Sequence, residues 1–150
     1  MSPVGYQVTI DAGDPHSQAR FWAAALGFVL EDNDAFIRDL VDQGQVGEED
    51  VVEIDGRLYW RTMTAIRHPD DVERGPFDDP APRRLLFVQV PEAKSTKNRL
   101  HLDLNVGRDR IDAEVARLVG LGATELYRVD EPGAFHTTLA DPEGNELCVQ

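Results

Sequence analysis

The sequence predicts an α+β fold in which two tandem βαβββ modules form a curved mixed sheet around a concave cleft, with the helices outside. Three observations predict it. Strand-like alternation of polar and apolar residues opens both halves of the chain, at Tyr6–Asp11 and Leu100–Val106. Each of these segments precedes an amphipathic helix closed by a glycine, Gly27 or Gly122. The spacing also repeats: Gln7 lies twenty residues before Gly27, and His101 twenty-one before Gly122. One such module alone exposes a large apolar sheet face, so two modules in one domain, spanning about 5–92 and about 98–150, are the economical solution.

Each element has its own justification. In the first strand, Gln7, Thr9 and Asp11 alternate with Val8 and Ile10. Asp14-Pro15 sets a helix start, the carboxylate accepting a backbone N–H and the proline sitting where its missing N–H costs nothing. The helix runs to about Leu26, with Ala19, Trp22, Ala23 and Leu26 on one face. Phe36, Ile37, Leu40 and Val41 predict a second helix over Asn33–Gln43. Strands are expected at Val51–Ile54 and Leu58–Ile66, joined across Asp55-Gly56, a strong hairpin signal. His68–Arg84, rich in Pro, Gly and Asp, reads as an exposed loop before the apolar strand Leu85–Val90. In the second half, Ile111, Val115, Leu118 and Val119 mark a helix that Gly122 closes. Thr124–Val129, Ala134–Ala140 and Asn145–Val149 follow as strands, the last two joined by Asp141-Pro142-Glu143-Gly144.

Composition excludes several functions. With 150 residues, 15 Lys and Arg against 28 Asp and Glu, and a net charge of −13, the chain lacks the basic surface that nucleic acid requires, and an anionic membrane is disfavoured likewise. No apolar run reaches the length of a membrane span, and the first residues lack the pattern of a secretory signal. Cys148 is the only cysteine, which suits a reducing compartment and makes the cytoplasm the expected location. No serine nucleophile elbow, phosphate loop or paired cysteine motif is present.

Alternation in the first strand of each half places Gln7 and Thr9 on one face, and His101 and Asp103 on the corresponding face. In the closing strands, Gln89 and Glu146 are the polar residues among apolar neighbours. Pairing of the strands as the repeat implies brings Gln7, Gln89, His101 and Glu146 together. Buried polar groups must be bonded, so such a quartet suggests a ligand, a metal or an ordered water network.

The chain resembles the vicinal oxygen chelate superfamily, the glyoxalase, bleomycin-resistance and extradiol-dioxygenase group, and within it the bacterial glyoxalase-like domain. The resemblance covers nearly the whole chain. It rests on Asp14-Pro15 followed by Phe21-Trp22-Ala23-Ala24-Ala25-Leu26-Gly27, on Lys97-Asn98-Arg99-Leu100-His101-Leu102-Asp103-Leu104, on Leu121-Gly122-Ala123-Thr124, and on Asp141-Pro142-Glu143-Gly144-Asn145-Glu146. It implies a metal set of Gln7, Gln89, His101 and Glu146, with His101 and Glu146 also the catalytic candidates. The implied cofactor is one divalent metal (Zn, Ni, Co, Mn or Fe), or none. A glyoxalase-type site carries Glu where Gln89 stands, so a cation is under-neutralised and a catalytic base is missing, which speaks against true lactoylglutathione lyase activity.

His101 reads either as a metal or substrate contact or as a half-buried sheet histidine bonded to a neighbour, and Glu146 either as a ligand or as an ion-pair partner. Asp103 can orient His101 or Arg99. Tyr59, Arg61, Arg99, Asp103 and His136 are candidate cleft residues, and His16 and His68 read as solvated. Two functions remain open. One is metal-assisted lyase or isomerase chemistry on a small organic substrate, the metal acting as a Lewis acid. The other is metal-free sequestration of a small, basic molecule, as in bleomycin resistance, favoured by the acidic field. The resemblance also implies a homodimer.

Overall fold

The computed structural model describes residues 3–150, and the chain divides into two compact units, Met1–Pro91 and Glu92–Gln150. The class is α+β: each unit holds one mixed four-stranded sheet, and helices flank the sheets.

The first unit opens with β1 (Val8–Ala12) and α1 (Pro15–Leu26). The Asp14 carboxylate accepts the backbone N–H groups of His16 and Ser17 at 3.1 and 3.0 Å, and Gly27 ends the helix in the left-handed conformation that the sequence anticipates. Next come the short β2 (Val29–Leu30), α2 (Asp34–Asp42), β3 (Val51–Ile54), β4 (Arg57–Trp60), β5 (Met63–Arg67) and β6 (Arg84–Gln89). The sheet order is β1-β6-β5-β2, with β1 and β6 parallel and the other neighbours antiparallel. Leu85, Phe87, Ile66, Ala12, Ala19 and Trp22 are among its buried core residues, and α1 packs on β5 and β6.

Two expectations for this unit require correction. The segment Leu58–Ile66 is not one strand: it breaks at Arg61-Thr62 into β4 and β5, which belong to different sheets. The module's second strand is β2, too short to show a period, whereas α2 and the β3–β4 hairpin form an insertion between β2 and β5. The hairpin turns at Asp55 and Gly56, with φ of 52° and 78°, the left-handed geometry that an Asp-Gly pair tolerates.

The second unit repeats the plan without the insertion: β7 (Leu102–Leu104), α3 (Ile111–Leu121), β8 (Thr124–Glu131), β9 (Ala134–Ala140) and β10 (Glu146–Val149). Its sheet order, β7-β10-β9-β8, is that of the first with a parallel pair at the same place. Leu147, Val149, Leu139, Leu118, Val115 and Ile111 form its core. The Asp141 carboxylate organises the turn before β10, accepting the backbone N–H groups of Glu143 and Asn145, both at 2.9 Å. Among the described residues no helix is long and apolar enough to cross a membrane.

Candidate functional site

Strand register decides what the polar residues do. In the first unit Val8 pairs with Leu85 and Ala12 with Gln89, so one step outward Gln7 stands opposite Arg84. In the second unit Leu102 pairs with Leu147, so one step outward His101 stands opposite Glu146. The two parallel pairs are equivalent, and the residue equivalent to Glu146 is therefore Arg84.

Gln89 is not placed beside Gln7. Paired residues of neighbouring strands point to the same side and successive residues alternate. Gln89 thus shares its side with Leu85, Phe87 and Ala12, while Gln7, Thr9 and Arg84 point to the other. The two glutamines are also five residues apart along the strands, about 16 Å at 3.3 Å per residue. The Gln89 amide donates instead to the Gly13 carbonyl at 3.1 Å.

Arg84 belongs to a charge cluster. Its Nε donates to Glu31 Oε1 at 2.6 Å, its Nη2 to Glu31 Oε2 at 2.9 Å and its Nη1 to Gln7 Oε1. Arg67 pairs with the same carboxylate through Nε at 2.7 Å and through Nη2, and its Nη1 reaches the carbonyls of Asp71, Val72 and Arg74. The three charged side chains keep only 10–11% of their exposure. Burial alone raises the Glu31 carboxyl pKa, but hydrogen bonds and charge from Arg84 and Arg67 outweigh it, and the net shift is downward. Two guanidiniums on one carboxylate leave one excess positive charge.

Beside this cluster opens a groove of about 570 Å³, within the range of small-molecule sites. Gln7 and Arg84 line it together with Tyr6, Phe77, Val4 and two carboxylates, Asp78 and Asp79. Tyr6 and Phe77 are 82% and 96% exposed, an unusual state for large aromatics.

In the second unit His101 Nδ1 lies 2.8 Å from Asp103 Oδ1, the orienting contact that the sequence allows. Glu146 is engaged by the Asn98 backbone N–H at 2.9 Å and by Lys94 Nζ at 3.2 Å. The Asn98 N–H foremost, with Lys94, holds its carboxyl below the usual range. Cys148 is buried, its sulfur 3.4 Å from Thr138 Oγ1. His136 is half-buried two residues before Thr138, on the same side of β9, and Arg99 is exposed ahead of β7.

Tyr59 and Arg61 lie elsewhere, on the inserted hairpin. Tyr59 meets the His16 ring edge-on at 5.5 Å, and His16 Nε2 bonds the Trp60 carbonyl at 3.0 Å, so His16 is not simply solvated. The Arg61 guanidinium donates to the carbonyls of Glu48, Glu49 and Val51 and fastens the start of the hairpin. The residues that the sequence reading missed are Arg84, Arg67 and Glu31. A charged residue directly before an apolar strand, as Arg84 is before Leu85, was the signal available.

A metal set of Gln7, Gln89, His101 and Glu146 does not fit this structure. Gln7 and Gln89 point to opposite sides of one sheet, and the Gln7 oxygen already accepts from a guanidinium, which repels a cation.

Two equivalent sheets, each built from a βαβββ module, define a paired-module α+β protein of the glyoxalase type. The chain belongs to the glyoxalase-like domain family, whose model matches residues 7–150. Its fold is similar to a glyoxalase/bleomycin resistance protein/dioxygenase family enzyme from Burkholderia phytofirmans (TM-score 0.58, 12% identity, 95% of this chain and 94% of that one). It is likewise similar to the fosfomycin resistance protein FosX from Mesorhizobium loti (TM-score 0.60, 11% identity, 100% and 92%). A FosX mutant from Listeria monocytogenes, solved with Mn(II) and 1S,2S-dihydroxypropylphosphonic acid, matches at TM-score 0.58 and 8% identity over 100% and 90%. No curated protein matches the chain.

Proposed function

We propose that the protein binds a small aromatic or otherwise flat organic acid in the groove of its first unit, and that this binding needs no metal. The observation that carries the reading is the placement of Arg84 opposite Gln7, in the position that Glu146 takes opposite His101. The first unit thereby presents a guanidinium where a metal set needs an oxygen donor. Arg84 and the Gln7 amide supply hydrogen-bond donors to a carboxylate, and the excess charge of the Arg67–Glu31–Arg84 cluster favours an anion at Arg84 itself, against the Asp78 and Asp79 carboxylates that also line the groove. Tyr6 and Phe77 supply the apolar walls. On this reading the Arg84 guanidinium, rather than the net charge of the whole chain, selects the ligand. Metal-assisted lyase or isomerase chemistry finds no support in the first unit.

Calorimetric titration of 2-naphthoate, with 2-naphthylmethylamine as the cationic counterpart, tests the reading. Expected is saturable naphthoate binding that is unchanged by EDTA, stronger than amine binding and weakened about tenfold or more by Arg84→Gln, as loss of a charge-assisted hydrogen bond of about 1.5–3 kcal/mol implies. Preference for the amine, or naphthoate binding indifferent to Arg84→Gln, overturns it.

A further inference from the structure

We infer that the second unit carries a binding site for a thiophilic divalent cation formed by His101, Asp103 and Cys148. The site shares only His101 with the four-residue set that the family resemblance implies, takes its other two ligands from Asp103 and Cys148, and does not depend on the groove of the first unit. One nitrogen of His101, one carboxylate oxygen of Asp103 and Sγ of Cys148 all lie within 4.8 Å of one another. The sheet places them there: Asp103 and Cys148 are directly paired across β7 and β10, and His101 is two residues before Asp103, on the same side. At the equivalent places of the first sheet stand Gln7, Thr9 and Leu86, so this donor set is a property of the second sheet and not of the repeated architecture.

The chemistry of the set selects the ion. Bond lengths of about 2.0–2.3 Å place the ligand atoms of a tetrahedral zinc site roughly 3.3–3.8 Å apart. With all three atoms within 4.8 Å, closing onto an ion requires a contraction of no more than about 1.5 Å, while the 2.8 Å contact between His101 and Asp103 opens by about 0.5 Å or more. Binding breaks the S–H bond of Cys148 and the His101–Asp103 hydrogen bond, forms three bonds to the cation, and releases the thiol proton to solvent. Thr138 Oγ1, 3.4 Å from the sulfur, can donate to the resulting thiolate. Thiolate with imidazole favours Zn(II) or Co(II) over Mg(II) or Mn(II). Three protein ligands leave a fourth position, and the partial exposure of His101 and Asp103, 36% and 40% at their side chains, lets water or a ligand atom reach it.

Cobalt(II) titration of the full chain, stripped beforehand with chelator, tests the inference. Expected is a thiolate-to-cobalt charge-transfer absorption that saturates at one equivalent and is displaced by Zn(II). Cys148→Ser abolishes the absorption, and Asp103→Asn and His101→Gln each weaken cobalt binding about tenfold or more, with circular dichroism unchanged. Arg84→Gln leaves the titration as it is, so failure here and failure of the groove reading are distinguishable. Absence of the absorption at excess cobalt overturns the site. An absorption of unchanged affinity in both Asp103→Asn and His101→Gln shows the thiol binding cobalt adventitiously and overturns it equally.

Discussion

Replacing Glu31 by alanine tests the physical basis of the first unit. The carboxylate is shared by Arg67 and Arg84, all three side chains being about nine-tenths buried. Removing one partner of a buried ion pair costs about 3–5 kcal/mol, because the remaining charge is left desolvated. Arg67 keeps three backbone carbonyls and Arg84 keeps Gln7, so the expected loss lies at the low end, about 3 kcal/mol. In a chain of this size that lowers the melting temperature by roughly 6–12 °C. The assay is urea unfolding at neutral pH, repeated toward acid. The folded Glu31 carboxyl lies below its ordinary value of 4.5, so its contribution is complete above that value and is lost as pH falls through the folded pKa. Wild type therefore approaches the variant in acid. A loss under about 0.5 kcal/mol at neutral pH, no more than an ordinary surface substitution, refutes the account of the cluster; so does a gap that stays constant as pH falls.

Three further outcomes follow from the packing. Asp14→Ala removes the cap of α1 and costs about 1 kcal/mol, measured by urea unfolding. Asp141→Ala strands the N–H groups of Glu143 and Asn145 and costs about 2–3 kcal/mol, with early loss of amide protection in the turn before β10. Phe87→Ala, at a fully buried position, costs about 3–5 kcal/mol in the same unfolding assay.

Much of the fold was legible because its signals are local. The Asp14-Pro15 cap, the Asp55-Gly56 turn and the glycines after α1 and α3 each act within a few residues, and the spacing from Gln7 and from His101 to those glycines carried the repeat. What escaped was set by pairing between distant segments. β2 has two residues and no period, so the strand role was assigned to the hairpin instead. Gln89 is polar, but whether it matches Glu146 depends on the β1–β6 register, which only the Val8–Leu85 pairing fixes. Starting the strand at Leu85 concealed Arg84, and the Arg67–Glu31–Arg84 cluster joins residues up to 53 positions apart. The His101–Asp103 contact was open to sequence reasoning, since residues two apart on one strand share a side. Its approach to Cys148 required the β7–β10 register.

The most direct test of the central claim, an acid-binding groove built on Arg84, is nitrogen-edited NMR of the full chain titrated with 2-naphthoate in the presence of EDTA. The account predicts saturable shifts centred on the Arg84 Nε–H and Gln7 side-chain amide signals and on the backbone amides of Tyr6 and Phe77. Shifts that bypass these groups, or that vanish when chelator is added, contradict it.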